Sequence, residues 1–173
     1  MKCIEELLLD KNLVSTYHHK LSEKNLIFYD TETTGILKDF SQILQCGSVL
    51  TDEGLNTLGE QNIGCAPLPW VIPQPMAMIT NKKIDLFKSN TSHYQMMKDL
   101  QMQWKQWSAE NPAIFITYNG HAFDEELVRR QFFWNLLEPY TTNTNGNGRL
   151  DLMLMIHNIA AFFSDEISMP LFE

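Results

Sequence analysis

Two acidic side chains that follow a short apolar run could bind a metal ion. The run 26–29 (LIFY) passes directly into the segment 30–35 (DTETTG). Apolar residues of this kind favour a strand, in which alternate side chains share a face, so Asp30 and Glu32 should project together. Neighbouring carboxylates repel each other unless a cation lies between them, and Mg²⁺ or Mn²⁺ prefers oxygen ligands. The pair predicts a metal site, although a solvated turn after a buried strand would show the same two acids.

A third acid, Asp124, lies where a later strand is expected to pass into a helix, in the segment 118–124 (YNGHAFD). On a helix it shares a face with Leu127 and Val128, so its carboxylate should point inward among apolar side chains. An unpaired buried carboxylate is costly, and a bound metal ion removes that cost. A first-turn acid favoured by the helix dipole is the alternative, but it does not account for the apolar neighbours.

The overall composition is ordinary for a globular protein. A chain of 173 residues, 44% apolar and 20% charged, suits one domain with a sizeable core. The net charge of −8, from 21 acidic and 13 basic residues, argues against a non-specific duplex binder. No apolar run approaches a membrane span, and the acidic start is unlike a signal peptide. Cys3, Cys46 and Cys65 show no paired spacing, which predicts reduced core thiols in a cytoplasmic protein.

Periodicity along the chain predicts a mixed α/β sheet in one domain. Strands are predicted at 26–30, 43–50, 55–65 and 113–118, with a tight turn at 52–54. Helices are predicted at 1–20, 92–108, 121–137 and 150–163, the last of them capped by Asp151. Loops are predicted at 67–75, which holds four prolines, and at 141–148. Three strands joined by short turns, followed by helix, strand and helix, are typical of a sheet with antiparallel and parallel parts.

The two acidic motifs, taken in order, resemble those of the DEDD (DnaQ-like) 3′–5′ exonucleases. An Asp-x-Glu ends the first strand, and an Asn-x-x-x-Phe-Asp follows about ninety residues later. The segments 73–75 (PQP), 123–126 (FDEE), 138–140 (EPY) and 150–152 (LDL) are similar to the exodeoxyribonuclease I branch rather than to the proofreading branch. The resemblance extends over about residues 25–170.

This resemblance implies an RNase H-like fold whose carboxylates hold two divalent ions, Mg²⁺ or Mn²⁺, for hydrolysis of the terminal phosphodiester. It implies that Asp30, Glu32 and Asp124 are catalytic metal ligands, and that Glu32 also contacts the terminal nucleotide. Arg129 and Tyr140 fall where the family contacts single-stranded DNA, and could pair with a phosphate and stack on a base, respectively. From the residues alone, Arg129 could equally be a solvated helix charge and Tyr140 an edge of the core.

The sequence departs from the family pattern after Asp124. The family places a fourth carboxylate and a general-base histidine on a final helix, and no His-x-x-x-x-Asp follows Asp124 here. His157 and Asp165 have the wrong spacing, and His121, in a turn, would be a poor substitute. An exonuclease-like domain at 25–173 without this helix should have weak activity or none, and should expose apolar surface. The N-terminal helix and linker at 1–24, or a second copy in a homo-oligomer, could cover that surface.

The leading prediction is therefore a metal-dependent 3′–5′ exonuclease that releases nucleotides from single-stranded DNA, with no membrane partner. A non-catalytic relative that binds nucleic acid or a protein partner is the first alternative. An unrelated α/β protein, whose acids serve as turns and helix caps, is the second.

Overall fold

The computed structural model describes residues 24–162, which form one sheet flanked by helices. The five strands are Asn25–Thr33 (β1), Ile43–Thr51 (β2), Thr57–Gly64 (β3), Ala113–Thr117 (β4) and Gly148–Asp151 (β5). The four α-helices are Pro75–Asn81 (α1), His93–Trp107 (α2), Asp124–Trp134 (α3) and Leu152–Phe162 (α4). Two 3₁₀ turns span Ile84–Lys88 and Thr141–Asn143. The helix predicted at 1–20 lies outside the described residues.

The sheet is mixed, as predicted, with the strand order β3-β2-β1-β4-β5. β1, β2 and β3 pair antiparallel, whereas β4 pairs parallel to both β1 and β5. The predicted tight turn joins β2 to β3, where the Leu55 N–H donates to the Asp52 carbonyl at 3.1 Å. Parallel neighbours cannot be joined by a tight turn, and α3 supplies the longer connection between β4 and β5.

The core lies between one face of the sheet and the helices α2 and α3. The apolar side of α2 is buried, with Met97, Leu100 and Trp104 fully inaccessible. Tyr29 reaches this layer from β1, and its ring centroid lies 4.8 Å from that of Trp104. Burial of each large side chain stabilises the fold by roughly 1.5–3 kcal/mol, so this layer holds β1 against the helices.

The opposite face of the sheet carries an open hollow of about 680 Å³. Apolar side chains of β1, β2 and β4 line it together with Leu152, as do Asp30 and the polar residues 60–62 of β3. α4 is also apolar and exposed, with Phe162 82% accessible and Ile159 40% accessible. The described residues thus leave apolar surface exposed, as expected.

Several boundaries differ from the sequence prediction, and three of these differences have a clear local reason. Pro75 begins α1 instead of ending a loop, because proline is well suited to the first helical position. α3 ends at Trp134 instead of 137, and Leu136 then adopts a left-handed conformation with φ of 56°. Residues 148–151, predicted as loop and helix start, form the edge strand β5, and Asp151 is its last residue.

The two described cysteines agree with the prediction of core thiols. Cys46 and Cys65 are buried and unpaired, and burial raises the pKa of Cys65 to about 11. Cys3 lies outside the described residues. None of the helices within 24–162 is long and apolar enough to cross a membrane.

A buried histidine links the start of α2 to α3 and β2. His93 is 4% exposed, and its Nε2 lies 2.7 Å from Gln131 Oε1, which also accepts the Ile43 N–H. Because that oxygen can only accept, Nε2 carries the proton, and Nδ1 accepts from the Asn135 amide at 3.2 Å. Burial lowers the pKa of His93, and the bond to Gln131 opposes that shift only in part. The fold therefore holds this imidazole neutral.

We expect the free energy of unfolding to fall as the pH drops from 7.5 to 5.5. In that window the unfolded chain binds a proton at His93 that the folded chain excludes, at a slope of up to about 1.4 kcal/mol per pH unit. His93→Gln keeps a donor for Gln131 but does not titrate, so its urea unfolding should depend less on pH. Equal slopes for the two proteins over this window would contradict the role of His93.

Candidate active site

The two acids of the first motif lie side by side at the end of β1. Asp30 is exposed and pairs in register with Gly47, while Glu32 is half-buried and pairs with Gln45. Burial raises the pKa of Glu32, Lys83 opposes this rise, and the charge of Asp30 adds to it. The register shifts directly after Glu32, and such a bulge sharpens the twist that aims a side chain. The predicted pairing of the two acids on one strand face is thus observed.

The end of the proline-rich loop 67–75, together with α1, fixes the chain that follows Glu32. The Gln74 N–H donates to the Thr34 carbonyl at 2.7 Å, and Gln74 Oε1 accepts the Ile36 N–H at 3.1 Å. Asn81, at the end of α1, donates to the Thr33 carbonyl at 2.8 Å. A side chain at Gly35 would overlap that of Gln74, because its Cβ would lie 2.6 Å from the amide carbon. This close packing holds the end of β1 in place.

Asp124 lies in the first turn of α3 and is 8% exposed, so the predicted inward orientation is correct. Its carboxylate accepts a short hydrogen bond from the Thr31 hydroxyl. Burial raises the pKa of Asp124, the bond from Thr31 lowers it, and the nearby charge of Asp30 raises it again. Asp124 therefore reaches the segment between the two acids of β1, on the strand face opposite to theirs.

These three carboxylates suit a hard divalent cation chemically, because they offer only oxygen ligands and the charge of Asp30 raises the pKa of both Glu32 and Asp124. In the part of the chain that the structure describes, no three His, Cys, Asp or Glu side chains lie close enough to form a metal site. The structure thus brings Asp30 and Glu32 together and places Asp124 against the same strand, without a closed set of three ligands.

The two predicted substrate contacts lie against each other. The Arg129 guanidinium carbon is 4.7 Å from the centroid of the Tyr140 ring, a cation–π distance. Arg129 also lies 3.9 Å from Glu126, and the Tyr140 side chain is 44% exposed. One face of the ring is therefore covered by the guanidinium. Arg129 is held by neighbours and is not a free helix charge.

Comparison with known proteins found similarity to one kind of enzyme. No family profile matches the chain. Over 153 residues the chain is 29% identical to exodeoxyribonuclease I of Buchnera aphidicola from Acyrthosiphon pisum, a match that covers 84% of the chain and 35% of the relative. The chain is similar to exodeoxyribonuclease I. It spans about a third of the length of the curated relatives it matches.

Solved structures agree with this similarity in fold. Exonuclease I of Escherichia coli in complex with an oligothymidine has a TM-score of 0.75 and 22% identity, over 85% of the chain and 32% of that structure. The zinc-bound form of the same enzyme with single-stranded DNA has a TM-score of 0.76 and 21% identity, over 86% of the chain and 32% of that structure. The predicted RNase H-like fold and the resemblance to exodeoxyribonuclease I are confirmed.

The histidines named from the sequence do not join the three acids. His121 is half-buried in the turn before α3, and its Nε2 is buried without a hydrogen-bond partner among the residues described. His157 is exposed on α4. Asp165 lies outside the described residues.

One buried acid beside the exodeoxyribonuclease I-like motif was not predicted from the sequence. Glu125 follows Asp124 directly, is 2% exposed and accepts a 2.8 Å hydrogen bond from the Tyr29 hydroxyl. Its partners lie far away in the sequence, so no spacing rule identifies them. The one available signal was a second acid in the first turn of an inward-facing helix.

Asp151 caps α4, as predicted, and also holds the turn that precedes α3. Its carboxylate accepts the N–H groups of Met153 and Leu154, at 3.1 and 3.4 Å. It also accepts those of Asn119 and His121, at 2.9 and 3.0 Å. Burial raises the pKa of Asp151, but these four donors outweigh burial and leave the pKa lowered. The carboxylate thus ties the segment before Asp124 to the end of β5.

We expect Asp151→Ala to lower the free energy of unfolding by about 1–3 kcal/mol at pH 7, because buried backbone donors lose their acceptor. Urea unfolding of this variant should be compared with that of Asp85→Ala, which removes an exposed carboxylate. The difference between the two should shrink in acid, since a lowered pKa stabilises the fold only above the unfolded value. Equal stability of both variants at pH 7 would contradict the role of Asp151.

Proposed function

We propose that the chain forms a divalent-metal-dependent 3′–5′ exonuclease domain that acts on single-stranded DNA. The observation that supports this most directly is the arrangement of Asp30, Glu32 and Asp124 around one strand end, in a chain similar to exodeoxyribonuclease I. Oligothymidine is bound in the E. coli structure of similar fold, which favours a single-stranded substrate.

The three carboxylates require a bound cation before they can bind a DNA phosphate. Asp30, Glu32 and Asp124 would otherwise repel the phosphate, because all four groups are anionic. Mg²⁺ or Mn²⁺, when bound, would activate water and stabilise the leaving oxygen of the scissile bond. Asp30 lies open beside Gly47, where an added side chain would meet nothing within 4 Å, so an ion and a phosphate can approach.

Arg129 and Tyr140 are proposed to hold the strand as it enters the site. The guanidinium can pair with a phosphate while it keeps its stack on the ring, because cation–π contact uses its face and hydrogen bonds use its edge. The uncovered face of Tyr140 can stack on a base. The pair would thus bind a single strand without reading its sequence.

Mn²⁺ should bind the wild-type chain and raise its melting temperature, because a ligand of the folded state adds to stability. Glu32→Ala and Asp124→Asn should each remove most of that shift. The wild type should also shorten 5′-labelled single-stranded DNA from a free 3′ end in the presence of Mn²⁺, at a low rate, and Glu32→Ala should not. Glu53→Gln, in the exposed turn between β2 and β3, is the matched control and should behave as the wild type.

A circular single strand has no 3′ end and should stay intact. Degradation of the circle would exclude an exonuclease, and an equal response to Mn²⁺ in the wild type and Glu32→Ala would exclude Glu32 as a ligand. A wild type with no response to Mn²⁺ and no degradation would refute the proposed function.

Binding of labelled oligothymidine, measured by fluorescence anisotropy across a salt series, tests the proposed role of Arg129 and Tyr140. Arg129→Gln should weaken binding and lower the slope of log affinity against log salt by about one phosphate contact. Tyr140→Ala should cost about 1–3 kcal/mol of binding through lost stacking, while Tyr140→Phe retains the ring and should bind normally. Unchanged binding in Arg129→Gln and Tyr140→Ala would contradict this assignment.

A further inference from the structure

Glu125 is a buried carboxylate with three donors from three parts of the chain. Its Oε2 accepts the Tyr29 hydroxyl at 2.8 Å, and its Oε1 accepts the Thr142 hydroxyl at 2.6 Å. Arg149 Nη1 lies 3.2 Å from the same Oε1. The partners come from β1, the 3₁₀ turn Thr141–Asn143 and β5. One side chain of α3 thus connects to each neighbouring element.

A buried carboxylate is energetically unfavourable compared with an apolar core side chain. Desolvation of a carboxylate costs several kcal/mol and is offset only if its oxygens are well bonded, whereas an apolar side chain would fill the same volume without that cost. The half-exposed Arg149 neutralises the charge, and the two hydroxyls satisfy the remaining lone pairs. What the network provides beyond a packed apolar residue is direction, since hydrogen bonds fix angles and distances.

The network lies one residue away from two proposed metal ligands. Tyr29 precedes Asp30 on β1, and Glu125 follows Asp124 on α3. Thr31, on the other side of Asp30, bonds to Asp124 itself. Two hydroxyls of β1 that flank Asp30 are therefore joined to two adjacent carboxylates of α3. This double link determines how far the first turn of α3 stands from the end of β1.

We propose that Tyr29, Glu125 and Thr142 are positioning residues that hold Asp124 against the segment of β1 that carries Asp30 and Glu32. The inference rests on the proposed function, because it assigns a purpose to the network only if the three acids share an ion. None of the three positioning residues contacts the substrate or the ion in this assignment.

Tyr29 is suited to this role, because its ring is held in place by packing and its hydroxyl donates to Glu125. Its side chain is 6% exposed and packs against Trp104 and Phe115, with centroid distances of 4.8 and 6.4 Å. Burial, together with the charge of Glu125, raises the pKa of Tyr29, which favours the protonated hydroxyl as a donor to Glu125.

The test is Mn²⁺ affinity, measured by titration calorimetry on folded protein, in Tyr29→Phe and Thr142→Val. Each variant removes one donor to Glu125 and nothing else, and each should weaken Mn²⁺ binding by about tenfold or more, the usual effect of losing a residue that orients a ligand. The matched control is Ser48→Ala, which removes a buried hydroxyl from the same layer. Ser48 pairs with Tyr29 across β1 and β2, and its hydroxyl accepts the Trp104 N–H at 3.1 Å.

The melting temperature without metal separates positioning from stability. Tyr29→Phe and Ser48→Ala should lose similar stability, because each leaves one buried polar group without its partner. Only Tyr29→Phe should also lose Mn²⁺ affinity. Equal Mn²⁺ affinity in Tyr29→Phe, Thr142→Val, Ser48→Ala and the wild type would overturn the positioning role and leave the proposed function intact. A wild type that binds no Mn²⁺ would remove the proposed function, and the positioning role with it.

Discussion

A buried carboxylate must find donors, and this constraint organises the fold around β1. Asp124 and Glu125 enter the core at the start of α3, where water cannot solvate them. Tyr29 and Thr31 meet them with hydroxyl groups from the inner face of β1. The helix therefore cannot shift along the sheet without breaking these bonds. An apolar contact at the same place would permit sliding, because dispersion has little directional preference.

Successive side chains of β1 point to opposite faces of the sheet, so the two faces of this strand carry different chemical groups. Hydroxyls at positions 29 and 31 point toward α3, and carboxylates at 30 and 32 point away from it. A slip of one residue would bury Asp30 and Glu32 and expose Tyr29, so the register is strongly determined. The antiparallel pairing with β2 fixes the register of β1, with Gly47 opposite Asp30. The Gln74 N–H holds the end of the strand through its hydrogen bond to the Thr34 carbonyl. The positions of the candidate ligands thus follow from the pairing of one strand.

Local patterns in the sequence were sufficient for most of the fold but not for the network inside it. Alternation and apolar stripes predicted four strands and the helix at 92–108, which is observed at His93–Trp107, because these signals lie within one element. The edge strand β5 was not predicted from the sequence, because four residues are too few to show a period and its pairing partner is distant in the chain. The burial of Glu125 was not predicted for a similar reason, since its hydrogen-bond donors lie 17 to 96 residues away in the sequence. The pairing of Arg129 with Tyr140 is also a tertiary contact that no spacing predicts.

The acidic character of the chain constrains how it can approach a polyanion. A net charge of −8 disfavours long-range attraction to DNA, so short-range contacts have to supply the binding. In the proposed function Arg129 would offer one such contact, and its stack on Tyr140 restricts it more than the flexible stem of a lysine would be restricted. The acids of β1 would attract DNA only after they had bound a cation, which would reverse the local charge. Metal binding and DNA binding at this strand end should therefore be coupled, because the same ion neutralises both sets of negative groups.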